Sequence, residues 1–399
     1  MNVYERLGVT PIINASGSVT RLGGAPMPPE VLQAFTEAAT QAVSIEELQA
    51  AASAKIADLT GAESGLVTAG CASALTLGAA AIIAQYDLGK MEKLPHCDDF
   101  RNEFVIAREQ RSGYDHAVRA SGARLVEVGC NEIVANAGVR RTEPWEYEAA
   151  FGPKTAGVVF VFGRNTVPWL GDVVERAHRH GYSVLVDAAA EVPPRSNFEV
   201  ILSTGADLVC FSGGKAIRGP QSTGILCGCR DLVASAALQM LDMDEHLSMW
   251  EPPAKFIDKE KIDGLPRHGL GRGMKVSKEE IAALLTALEL FSSGAYDAEV
   301  KTFRGYLETI ADAVTNKPAR TEILDDDDGE TPPNLEVHLD EAALGRTAFE
   351  VCQSLRHGDP RVYVSHARLS SGTLVVRPGC LTADGASHVA RRLAEELSR

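Results

Sequence analysis

At 399 residues, 45% hydrophobic and 23% charged, the chain has the balance of a soluble globular protein and enough length to bury a large core in more than one domain. A net charge of −15 and the lack of any Lys/Arg cluster argue against nucleic acid as a partner. No apolar run approaches membrane-spanning length, no basic-then-apolar segment opens the chain, and the eight cysteines are scattered, several within apolar runs, as reduced thiols are; cytoplasm without membrane contact is the expected setting.

In chain order, Met1 to Gly24 reads as an arm with a short strand over Pro11 to Asn14. Pro28 and Pro29 mark a helix start at Glu30, and a second helix is expected over Glu46 to Leu59, ended by Gly61. Val67-Thr-Ala-Gly-Cys-Ala-Ser-Ala74 then opens an alanine-rich helix running to about Tyr86. A small-residue turn at a helix N-terminus presents free N–H groups and the positive end of the dipole, which suits a phosphate. Gly70, Cys71 and Ala72 would supply amides, Ser73 its hydroxyl, and Ser212 a further contact. The same composition also suits a helix that simply packs closely through its alanines.

Asp87 to Asn102 is charged and reads as a loop. Strands follow at Glu103–Ala107, Ala123–Val128, Thr155–Gly163, Ser183–Ala188 and Leu208–Gly213, with helices at Asp115–Ser121 and Asp172–His180. Such alternation predicts an α/β fold on a mainly parallel sheet, with ligands at the C-terminal ends of the strands. Two of those ends carry chemistry. Tyr182-Ser-Val-Leu-Val-Asp187 finishes on a carboxylate, and Asp207-Leu-Val-Cys-Phe-Ser-Gly-Gly-Lys215 delivers a lysine through a glycine turn. A lysine that can form a Schiff base and a carboxylate that keeps a pyridine nitrogen protonated are the pair a pyridoxal phosphate site needs. Taken singly, each has a plain alternative: a surface lysine, and an aspartate capping its turn.

Beyond them lie a helix over Asp231 to Leu241, an irregular stretch from Met243 to His268, and a helix over Ser277 to Phe291 opened by the Ser277/Glu280 capping box. The remainder reads as a smaller α+β domain: a strand at Leu335–Leu339, a helix from Ala343 to Leu355, strands Arg361–Val364 and Thr373–Arg377 paired together, and a closing helix over Ser387 to Leu397. The acidic run Asp325 to Asp328 reads as a solvated loop tip, and Cys227-Gly-Cys229 is too tightly spaced for the usual zinc pair, so no metal site is expected.

The order of phosphate turn, strand-end Asp and Ser-Gly-Gly-Lys resembles the fold-type I pyridoxal phosphate enzymes. The finer resemblance is to their selenocysteine synthase-like branch, which includes the ammonia lyase acting on D-glucosaminate 6-phosphate. Thr10-Pro-Ile-Ile-Asn-Ala-Ser-Gly17, Phe211-Ser-Gly-Gly-Lys-Ala-Ile-Arg-Gly-Pro-Gln-Ser-Thr-Gly224 and Leu270-Gly-Arg-Gly-Met-Lys-Val-Ser-Lys-Glu-Glu280 carry it. It implies Lys215 as Schiff base and proton carrier, Asp187 as partner of the ring nitrogen, and Tyr114, with His116 as competitor, stacked on the ring. It further implies Asn14, Arg272 and the carboxylate-binding Arg377 as substrate contacts, and a homodimer or higher homo-oligomer. Expected domains are an arm over 1–25, a large cofactor domain over 26–265 and a small C-terminal α+β domain over 266–399. The expected function is a lyase performing α,β-elimination on a small amino acid or amino sugar acid. Racemase, aldolase or transferase chemistry at the same Lys and Asp, or a silent pyridoxal-binding protein, are the alternatives. Because the core motif starts by Thr10, no module for a charged tRNA is expected.

Overall fold

The computed structural model of the protein describes residues 2–130, 141–163, 166–326 and 328–398. Its strands are β1 (Ile12–Ala15), β2 (Ser64–Thr68), β3 (Glu103–Ala107), β4 (Arg124–Val128), β5 (Thr155–Val161), β6 (Ser183–Asp187), β7 (Leu208–Ser212), β8 (Gly224–Gly228), β9 (Ala319–Leu324), β10 (Asn334–Leu339), β11 (Arg361–Val364) and β12 (Thr373–Val376). The chain forms two compact units: Met27–Ser292, and Met1–Pro26 together with Ser293–Arg399.

The larger unit is built on a seven-stranded sheet in the order β2-β8-β7-β6-β5-β3-β4. The pairs from β7 outward to β4 are parallel, whereas β8 runs antiparallel to both β7 and β2. β7 and β8 are buried at every position, and Val184 to Val186 of β6 are buried as well. Continuous apolar runs of this kind mark strands covered on both faces. One cover is the helix Gly70–Ala84, buried over most of its surface because alanines, Leu75, Leu77, Ile82 and Ile83 occupy every side of it.

β2 is an edge strand, and its outward backbone groups are satisfied by a neighbouring helix, Ile45–Thr60. The buried Gln49 amide donates to Val67 O at 2.9 Å and accepts from Val67 N at 3.1 Å, while Gly65 N donates to Ser53 Oγ at 3.1 Å. Side chains thus stand in for a missing strand, and the edge is closed to further pairing.

The smaller unit holds the antiparallel sheet β12-β10-β9 and the parallel pair β1-β11 around one apolar cluster, in which Leu307 and Ile310 of the helix Asp297–Ala313 meet Val389 and Leu393 of the helix Ala383–Glu396. Three local expectations are corrected here. The segment from Asp87 to Asn102 contains a helix, Leu88–Lys93, whose start is fixed by Asp87 Oδ1 accepting from Lys90 N at 3.0 Å. The helix expected from Ala343 to Leu355 is two, because Gly345 takes a left-handed φ of 63° and Thr347 caps a new start with Glu350. β11 and β12 do not form a strand pair: β11 lies beside the arm strand β1 and β12 beside β10, with only the bridge Ser365–Val375 between the two runs. Of the acidic run, Asp325 pairs with Arg304 and Asp328 caps its own turn through Thr331 N, while residue 327 lies outside the described residues.

Replacing Gln49 by leucine would leave the Val67 N–H and C=O buried without partners, so Gln49→Leu is expected to lower stability by about 2–4 kcal/mol in urea titrations.

Candidate active site

The site is assembled at the C-terminal ends of β6 and β7. These strands are parallel neighbours, with Asp187 in register with Cys210, so the chain leaving Ser212 turns through Gly213 and Gly214 to place Lys215 beside Asp187. That turn is tightly packed: a Cβ on Gly214 would stand 2.5 Å from Gln221 Cα, and one on Gly213 2.3 Å from Thr223 Oγ1. Only glycine lets these backbones approach, which holds the lysine in one place.

Asp187 accepts hydrogen bonds from Ala189 N at 3.1 Å and from the Cys71 thiol at 3.9 Å, both on Oδ1. Burial pushes its carboxyl above the ordinary aspartate range, opposed in turn by the Ala189 N–H, the positive charge of Lys215 and the Cys71 thiol. A desolvated carboxylate of this kind is stabilised by a proton-bearing cation placed against it.

The turn over Gly70 to Ala72, the expected phosphate site, reaches the same end of the sheet. Thr68, Gly224 and Ser212 lie in register across β2, β8 and β7, and the helix Gly70–Ala84 starts just beyond Thr68. Gly224 is what brings the turn close, since a Cβ there would meet Cys71 N and Gly70 C at 2.4 Å. No side chain caps the helix start among the described residues, so the amides of its first turn, Gly70, Cys71 and Ala72, have no side-chain acceptor. Ser73 donates its hydroxyl to Ala69 O at 2.7 Å, and Ser212 is buried.

Tyr114 precedes the helix Asp115–Ala120 and is 60% exposed. It shares with Asp187 a shallow open pocket, lined also by Ser112, Asp115, Leu75 and Val161. His116 is exposed on the same short helix.

Three further substrate contacts are expected, at Asn14, Arg272 and Arg377. The Arg272 guanidinium is ion-paired with Asp244 at 2.8 Å and with Asp242, and donates to Arg267 O at 2.5 Å. In the smaller unit, Arg377 is exposed, donates its backbone N–H to Ala15 O at 2.9 Å, and makes no ion pair among the described residues. Its side chain runs past Gly17, where a Cβ would stand 3.2 Å from Arg377 Cδ. Asn14 closes the adjacent turn, donating to Gly17 O at 3.0 Å and accepting from Ser16 N at 2.9 Å. Two features escaped the sequence: the Cys71 side chain on Asp187, because register across distant strands is invisible locally, and Glu280, which accepts from Ser222 beside the phosphate turn.

This donor set fits pyridoxal 5′-phosphate: an uncapped helix mouth for the phosphate, a half-buried acid for the ring nitrogen, and a lysine on the adjoining strand's turn. Comparison with known proteins gives the same class. The profile of the aminotransferase class-V family matches residues 117–256. The chain is 31% identical to the 5′-C-glycyluridine monooxygenase-decarboxylase of a Streptomyces species, over 99% of this chain and 92% of the relative. It is 27% identical to the D-glucosaminate-6-phosphate ammonia lyase of Salmonella typhimurium, over 99% and 97%. A solved D-glucosaminate-6-phosphate ammonia-lyase structure superposes with a TM-score of 0.80 at 26% identity, covering all of both chains. These are enzymes of the pyridoxal 5′-phosphate fold-type I class. The chain belongs within it to the aminotransferase class-V family, near the D-glucosaminate-6-phosphate ammonia lyases and selenocysteine synthases.

Because the folded carboxyl of Asp187 binds its proton more tightly than the unfolded one, whose pKa is about 3.9, its ionisation costs stability as pH rises through that range. Cofactor-free Asp187→Asn is therefore expected to have a higher urea midpoint than cofactor-free wild type at about pH 8, with the difference shrinking towards about pH 4.

Proposed function

We propose that this enzyme is a lyase that removes ammonia from an amino acid or amino sugar acid by α,β-elimination. The observation that carries this reading is the placement of Lys215 and the half-buried Asp187 at adjoining strand ends, in a chain that aligns end to end with an ammonia lyase of an amino sugar acid. When bound, pyridoxal 5′-phosphate supplies a sink for the electrons of the Cα–H bond.

The chain's own residues do the rest. Lys215 Nζ takes the Cα proton; the substituent on Cβ leaves with its bonding electrons, and hydrolysis of the resulting unsaturated amine gives a 2-keto acid and ammonia. Asp187 keeps a proton on the ring nitrogen. The amides of Gly70, Cys71 and Ala72, with Ser73 and Ser212, hold the phosphate, and Tyr114 covers the ring. Arg377 is the proposed carboxylate-binding group and Asn14 a second substrate contact; contact through Arg272 requires its pairs with Asp242 and Asp244 to open.

The similarity to a monooxygenase-decarboxylase favours a second reading, in which the same Lys and Asp serve oxygen-dependent loss of carbon dioxide from an amino acid. The net charge of −15 counts against a tRNA-bound substrate, for which counterion release would demand a basic face. Eight free thiols support a reducing compartment. No helix among the described residues is long and apolar enough to cross a membrane. Exposed Val3, Tyr4, Leu7 and Val9 support a homo-oligomer.

Amino acids, D-amino acids and phosphorylated amino sugar acids assayed with and without oxygen separate the two readings. Ammonia and keto acid released equally under nitrogen and air confirm the lyase, whereas oxygen uptake with carbon dioxide release replaces it by the second reading. Lys215→Ala is expected to lose the visible band of the bound cofactor and to lower turnover by roughly a hundredfold or more.

A further inference from the structure

Asp187 is met by side chains from three directions. Lys215 approaches from the turn after β7, the Cys210 side chain shares its sheet face through the in-register pairing of β6 with β7, and Cys71 comes from the first turn of the helix Gly70–Ala84. Tyr114 and Asp115 line the cavity on which the carboxylate opens. Both hydrogen bonds that Asp187 accepts fall on Oδ1, one from its own turn and one from the Cys71 thiol at 3.9 Å.

We propose that Cys71 is a positioning residue for Asp187: its thiol, backed by Cys210, occupies Oδ1 and leaves Oδ2 for the proton-bearing ring nitrogen of the cofactor. The inference rests on the reading of Asp187 as the ring-nitrogen partner. Cys71 joins the two ends of the site, with its amide in the phosphate turn and its side chain on the acid, and it is only 9% exposed. Beneath it, Cys210 is fully buried, and burial together with the neighbouring Cys71 pushes the Cys210 thiol up.

The choice of a thiol has a physical consequence. An arginine or lysine at this position would satisfy the carboxylate, drain its affinity for protons and compete with the ring nitrogen. A thiol is a weak neutral donor that orients an acid without neutralising it. In a buried setting, even a weak donor to a charged acceptor is worth more than in water.

The test uses purified holoenzyme and two variants, Cys71→Ala and Asp187→Asn. The S–H stretching region of the infrared spectrum is free of other protein bands, so wild type minus Cys71→Ala isolates the Cys71 thiol. That band is expected at lower frequency than those of the other thiols and to move up in Asp187→Asn; packing alone would leave it unmoved. Cofactor binding, measured by dialysis and rebinding, is expected to be weakened roughly fivefold in Cys71→Ala, about 1 kcal/mol, and by more in Asp187→Asn. A Cys71 band insensitive to Asp187→Asn, or unchanged cofactor affinity in Cys71→Ala, overturns the proposal while leaving the Asp187 reading intact. Unchanged affinity in Asp187→Asn overturns that reading itself. If Cys71→Ala does not fold, the shift between wild type and Asp187→Asn still decides, because the hydrogen-bonded thiol band must then appear in their difference spectrum.

Discussion

A desolvated carboxylate beside a lysine, at the ends of two adjoining parallel strands, is the constraint on which the rest depends. Desolvating Asp187 is unfavourable in isolation, as the upward push on its proton affinity indicates. The sheet tolerates it because β6 and β7 are covered on both faces by apolar packing strong enough to hold the geometry, and because Lys215 and a backbone N–H offset part of the cost. A cofactor that presents a protonated ring nitrogen completes that balance, so the stability of the fold and the proposed chemistry draw on the same electrostatic interaction.

Close backbone approach supplies the precision. Gly214 against Gln221 fixes the lysine turn, and Gly224 against the Gly70–Cys71 peptide draws the proposed phosphate turn over the sheet. The antiparallel β8 matters here: by entering at the end where β2 and β7 leave, it sets Gly224 between Thr68 and Ser212 and spaces the two turns by one strand. The relatives span an ammonia lyase and a monooxygenase-decarboxylase, so this frame is compatible with more than one fate for the electrons released at Cα, and the proposed specificity must lie in residues around it.

Much of this was legible in the sequence. Uninterrupted apolar runs such as Val184–Val186 and Leu208–Phe211, followed by a carboxylate or by a serine and glycines, mark buried parallel strands, and the structure has β6 and β7 within a residue of the expected bounds. What escaped was set by long-range pairing. Nothing within Arg361–Val364 says that its partner is the arm strand β1 rather than β12, and nothing in the Gly-Arg-Gly segment says that Asp242 and Asp244 engage Arg272. The helix Asp297–Ala313 buries only Leu307 and Ile310 fully, too few for a clear apolar stripe. Cys71 was legible as a backbone amide and not as a side chain, since its contact with Asp187 spans more than a hundred residues.

The most direct test of the central claim is the protonation state of the ring nitrogen, read from the nitrogen-15 NMR shift of enzyme reconstituted with pyridine-labelled pyridoxal 5′-phosphate. The account predicts a pyridinium shift in wild type and a neutral pyridine shift in Asp187→Asn. The same shift in both proteins would contradict it.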